Sequence, residues 1–116
     1  MSYEREKRQR PRAKVRWPVI VQTDQRKIKG ETLNITVDGA LILCQEPLEP
    51  EERVDITIHV PSLVRPLNIP ARVIHCSACD KPTSYEIGIR FIDISDKSGW
   101  LISTAVQRES GVMLMP

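Results

Sequence analysis

Val54-Asp55-Ile56-Thr57-Ile58-His59-Val60 alternates apolar and polar side chains without a break. Successive side chains of an extended strand point to opposite faces, so this stretch can bury one face and wet the other. Its valines and isoleucines are β-branched and suit a pleated, half-buried surface. Similar patterns recur on either side. Upstream, strands are expected from near Val15 through Val21, from Ile28 to Ile35 and from Ala40 to Cys44. The polar turn Thr23-Asp24-Gln25-Arg26-Lys27 separates the first two, and Glu46 to Glu52, with two prolines and four acids, makes a loop. Downstream, Pro61 and Pro66 bracket another loop, and Leu67 to His75 reads as a strand. Its faces are Ile69, Ala71, Val73 and His75 against Pro70, Arg72 and Ile74. Cys76 to Ser84 turns the chain, and Tyr85 to Ile92 sets Tyr85, Ile87, Ile89 and Phe91 against Glu86, Gly88, Arg90 and Ile92. Asp93 or Ser95 can cap a closing helix, with Trp100, Leu101, Thr104 and Ala105 on one face.

Six short strands in hairpin order and one late helix predict a mainly all-β fold. A six-stranded antiparallel β-barrel with a C-terminal α-helix removes the exposed edges that a small open sheet would leave. The chain has 116 residues, 41% hydrophobic and 28% charged, enough for one core and one domain. Aromatics are only 4%, so Val, Ile and Leu must fill the interior. No apolar run is long enough for a membrane-spanning helix, and the charged N-terminus does not read as a secretory signal. Three cysteines, an odd number, fit a reducing cytoplasm better than a disulfide framework. The expected organisation is a flexible basic arm over residues 1–14, the barrel with its helix over 15–110, and a tail over 111–116.

The net charge of +2 hides an asymmetry: residues 1–16 hold seven Lys and Arg against two Glu, so the remainder is net acidic. Within that arm lies Arg8-Gln9-Arg10-Pro11-Arg12. Charge runs are commonly solvated tails. Several guanidiniums held near one point nonetheless repel unless an anion neutralises them, and their planar forks suit phosphates and the O6/N7 edge of guanine. The second motif is Asn34-Ile35-Thr36-Val37-Asp38-Gly39. Such residues serve any hairpin loop. They also place Asn34 and Thr36 on alternating positions, with Gly39 allowing a positive-φ turn or a close backbone approach. Cys76-Ser77-Ala78-Cys79 lacks the second ligand pair a zinc site needs and enters a turn rather than a helix, so incidental cysteines are the simpler reading. Cys44 reads as a small core residue. No triad order, phosphate-cradling glycine loop or metal-ligand spacing stands out, so an enzyme is not expected.

An Arg-x-x-x-Arg arm, a strand, and then Asp/Asn-x-Ser-x-x-Gly resembles the PilZ family, bacterial receptors for the second messenger cyclic di-GMP. Val15 and Pro18-Val19, Ala71-Arg72-Val73-Ile74, and Ile87-Gly88-Ile89-Arg90-Phe91 followed by Asp93-Ile94-Ser95 are similar to the family's strands and helix start. The resemblance spans roughly residues 5–108 and implies the same barrel with a C-terminal helix. It implies that Arg8 and Arg12 clamp phosphates and guanine edges, with Arg10 as an auxiliary contact or base stack. It also implies that Asn34 and Thr36 hydrogen-bond guanine, that Gly39 lines the same side, and that His75 stacks on a base. No cofactor is implied beyond the ligand itself.

Two positions depart from the family's pattern. Thr36 stands for the usual Ser and keeps the hydroxyl, and Asn34 stands for the commoner Asp and loses its charge. Arg12-Ala13-Lys14-Val15-Arg16 repeats the arginine spacing. The Arg8/Arg12 register is preferred because Arg16 already sits at the strand start. The resemblance implies closure of the arm over the ligand and transmission to an unidentified effector protein. The alternative is a degenerate member acting through protein contacts without nucleotide. Nucleic acid is a less favoured partner, since small barrels that bind it carry more aromatics.

Overall fold

Isoleucine and valine dominate the fully buried positions: Val19, Val21, Ile35, Ile42, Val54, Ile56, Ile58, Ile69, Val73 and Ile87. They come from all six strands and follow strand alternation except where the second and fifth strands are bulged, and burying each contributes about 1.5–3 kcal/mol. The computed structural model describes residues 12–81 and 83–110. The strands are β1 (Pro18–Gln22), β2 (Lys27–Ile35), β3 (Gly39–Cys44), β4 (Arg53–Ile58), β5 (Leu67–Ala78) and β6 (Tyr85–Phe91), followed by α1 (Asp96–Ser110). They close into an antiparallel barrel in the order β1-β2-β3-β6-β5-β4. The all-β barrel with a C-terminal helix is therefore as expected.

The strand order is not the simple hairpin succession expected from the sequence. β3 pairs with β6, not β4, and β4 lies between β1 and β5. The loop after β3 carries the chain across, anchored by the buried Leu48. It is further held by Glu51 N–H donating to the Val73 carbonyl and Val73 N–H donating to that of Glu52. This crossing inserts β6 between β3 and β5, an arrangement that local periodicity does not encode.

Element ends also move. β1 begins at Pro18 rather than near Val15, and β4 ends at Ile58. β5 runs on to Ala78, through residues expected to turn, because β6 supplies partners as far as Ala78↔Tyr85. The arm enters the fold earlier than expected. Ala13 is buried and bridges Ile35, each donating its N–H to the other's carbonyl at 3.0 and 2.9 Å. Thr32, fully buried, clamps the following residues: its Oγ1 accepts the Trp17 N–H at 2.9 Å and donates to the Val15 carbonyl.

Ser95 caps α1, its Oγ accepting the Ser98 N–H at 3.1 Å. The helix buries Ile102, Ala105 and Val106 at i, i+3, i+4 spacing, with Leu101 packed at their edge. Trp100, expected on that face, is instead 65% exposed. One step of 100° around the helix separates Trp100 from Leu101, and the aliphatic ridge takes the core side. Among the described residues no helix is long and apolar enough to cross a membrane.

Candidate functional site

The turn between β2 and β3 is built by its own side chains. Thr36 N–H donates to the Gly39 carbonyl at 2.9 Å, and Thr36 Oγ1 accepts the Asp38 N–H at 3.0 Å. That leaves the hydroxyl proton of Thr36 to donate elsewhere. Gly39 is required by proximity: a Cβ there would stand 2.2 Å from the Ile89 carbonyl oxygen across the β3–β6 pair. Of the two roles open to Gly39 in the sequence, close backbone approach is the one realised.

Two β-bulges re-aim the strands beside this turn. In β2 the register slips between Thr32 and Asn34, so Leu33 is the extra residue. In β5 it slips between Val73 and His75, so Ile74 is the extra residue. A bulge reverses which face the following side chains occupy. Thr32 and Ile35 both point inward, and Asn34 is thereby turned out. Val73 points inward and His75 is exposed, so His75 does not share the face of Ile69, Ala71 and Val73 as the alternation had predicted.

Both bulges fall on one cross-strand row. Asn34 pairs with Leu41, Leu41 with Gly88 and Gly88 with His75, across β2, β3, β6 and β5. Three strand spacings put the ends of this row about 14 Å apart. Its floor is low at Gly88, where the His75 ring lies across the backbone, 2.5 Å from the position a Cβ would take. The next outward row brings Gly39 opposite Arg90. Arg12, one residue before the Ala13 bridge, stands at the rim.

These rows form an open depression of about 420 Å³ lined by Arg12, Asn34, Thr36, Gly39 and His75, five of the residues singled out in the sequence. Arg8 and Arg10 lie outside the described residues. The sequence reading passed over Asp38, Leu41, Gly88 and Arg90, which line it too. A glycine inside a strand, as at Gly88, was the available signal, since it marks close approach by another group. Arg16, the other candidate of the arginine pair, does not line the depression and donates to Glu31 at 2.6 Å. The Asn34 amide has no hydrogen-bond partner among the described residues and so offers both a donor and an acceptor.

The surface therefore combines guanidiniums at Arg12 and Arg90, outnumbering the one acid Asp38, with an amide, a hydroxyl and an imidazole face over a low floor. It suits a flat, anionic ligand with hydrogen-bonding edges. Cys76 and Cys79 do not build a second site. Cys76 lies within β5 and Cys79 just beyond it, so their Cα atoms are about 10 Å apart, too far for a disulfide. Among the described residues no three His, Cys, Asp or Glu side chains group to hold a metal.

The family model for the PilZ domain matches residues 6–107. Among solved structures, the inhibitor of motility MotI/DgrA of Bacillus subtilis superposes with a TM-score of 0.76 at 15% identity, over 93% of this chain and 52% of that one. This chain thus spans about half the length of that protein. The PilZ domain of YcgR from Escherichia coli, solved with c-di-GMP, superposes with a TM-score of 0.72 at 11% identity, over 90% and 92% of the two chains. The PilZ domain of CeSA from a cellulose-synthesizing bacterium does so with a TM-score of 0.57 at 17% identity, over 88% and 97%. No curated protein matches the sequence. With its barrel order, its closing helix and a family match over nearly its whole length, the chain belongs to the PilZ domain family.

Proposed function

We propose that this chain is a binding module for cyclic di-GMP, held on the outer face of the barrel over β2, β3, β6 and β5. Arg12 takes a phosphate or a guanine edge, Asn34 and Thr36 hydrogen-bond the base, Gly39 allows the backbone to come close, and His75 stacks. Arg8 and Arg10 complete the clamp as the arm closes. The single observation that carries this reading is the shared row: two bulges aim Asn34 and His75 onto one depression that has Arg12 at its rim.

Ordering the arm costs roughly 1–2 kcal/mol per residue. Charge-assisted hydrogen bonds, each worth about 1.5–3 kcal/mol, must offset that cost. The closed arm then creates or masks a surface for an effector protein. Calorimetric titration with cyclic di-GMP, against GTP and linear pGpG, tests the reading. Selective saturable binding near micromolar, about −8 kcal/mol, is expected. Absence of binding by heat and by a second probe would refute it and leave a module that works through protein contacts.

A further inference from the structure

The outward row that begins at Gly39 continues across the barrel as three arginines. Gly39 pairs with Arg90 on β6, Arg90 with Arg72 on β5, and Arg72 with Arg53 on β4. All three are exposed, while their strand neighbours Val54, Ala71, Val73, Ile89 and Phe91 are buried. Like charges directly opposite one another destabilise a sheet, and this stripe sets two such pairs side by side. Among the described residues no ion pair neutralises it, and the one acid that shares the depression with Arg90 is Asp38. Among the described residues the ion pairs are Arg16–Glu31 and Arg26–Glu46, and none involves the stripe. Among the described residues the Arg72 guanidinium donates only to the Glu51 main-chain carbonyl, at 3.0 Å. Asp55, Glu51 and Glu52, the acids closest along the chain, come no nearer than the 4.0 Å of an ion pair.

We propose that Arg53, Arg72 and Arg90 form a docking stripe for an acidic helix of a partner protein. Adjacent strands set the guanidinium-bearing residues about 4.7–4.9 Å apart. Carboxylates at i, i+4 and i+8 of a helix repeat at about 5–6 Å along one face, a near one-to-one match. The closed barrel offers no free edge for strand addition, so a partner must be read through side chains. The half-exposed Ile74, beside Arg72, gives that helix one apolar anchor. Arg90 belongs both to the stripe and to the depression, so a ligand anion seated there withdraws one rung. That coupling rests on the nucleotide reading above, and the stripe itself does not.

Fluorescence anisotropy at low salt tests this, with a labelled alanine-based helical peptide carrying glutamates at i, i+4 and i+8, its glutamine counterpart, and a thymidine oligonucleotide. The glutamate peptide should bind the native chain and the glutamine peptide should not. Arg53→Gln with Arg72→Gln should weaken binding about tenfold or more. Arg53→Gln alone, at a residue whose side chain makes no hydrogen bond among the described residues, should weaken it in the same direction and guards against misfolding of the double variant. No peptide binding to the native chain, or equal binding to native and double variant, overturns the proposal. An oligonucleotide that binds instead, and is lost with the same substitutions, would identify a nucleic-acid stripe. Cyclic di-GMP affinity of the double variant reports separately on the nucleotide reading and should be unchanged, since neither residue lines the depression. Peptide affinity unchanged by bound cyclic di-GMP would remove the coupling through Arg90.

Discussion

His75 lies across Gly88 on the neighbouring strand, its Nε2 2.5 Å from the position a Cβ would occupy. The bulge at Ile74 brings them together, and the missing side chain lets the ring lie flat. In Gly88→Ala the ring must swing away. Because His75 is exposed and its ring is the far end of a movable side chain, stability should change by no more than about 1 kcal/mol. Cyclic di-GMP affinity should fall several-fold, and titration together with urea unfolding separates the two effects.

Gly39 presents the opposite case. A Cβ there would meet the Ile89 carbonyl oxygen at 2.2 Å and the Arg90 Cα at 3.1 Å, both main chain. No rotamer relieves that contact, so Gly39→Ala should destabilise by about 1–3 kcal/mol or more through overpacking at the β3–β6 pair. A urea midpoint equal to that of the native chain would contradict this.

Arg12 is exposed at the rim of the depression and makes no ion pair among the described residues. Arg12→Ala should leave the unfolding midpoint within about 0.5 kcal/mol of native while reducing cyclic di-GMP affinity below detection. Unchanged affinity by calorimetry would remove Arg12 from the site.

Thr32 holds the chain that delivers Arg12. Its hydroxyl joins the Trp17 N–H and the Val15 carbonyl, and the residue is fully buried. Thr32→Val keeps the shape and strands both main-chain groups, at a cost of about 1–3 kcal/mol. Hydrogen exchange at the Trp17 amide should accelerate, and a protected amide in the variant would show that the bond had been replaced.

Burial pushes the Cys44 thiol up from 9.0 to about 11, with Cys76 and Glu46 adding to the shift. The native state therefore keeps this proton while the unfolded chain loses it. Stability from this group is full below pH 9 and declines as pH rises through about 11. The slope approaches about 1.4 kcal/mol per pH unit within that window. Cys44→Ala should flatten the alkaline limb of stability against pH relative to the native chain, and identical limbs in urea titrations would refute this.

Much of the fold was legible because alternation is a local property. Ile56 and Ile58, or Ile87 and Ile89, declare their face by spacing alone, and the resulting core is aliphatic as the scarcity of aromatics required. The turn from Asn34 to Gly39 could be named for the same reason, since its chemistry lies in six consecutive residues. Trp100 was misplaced because helical spacing alone does not say which of two adjacent apolar ridges meets the barrel.

By itself the sequence determined the six strands, the capped helix, the aliphatic core and the residue types able to meet an anionic ligand. Only the tertiary structure decided that β6 lies between β3 and β5, that His75 faces out over Gly88, and that Arg90, Arg72 and Arg53 continue the row from Gly39. The reason is physical. Strand pattern is written within a few residues, whereas pairing partners and bulges are settled by which distant backbones can close the barrel with every hydrogen bond made.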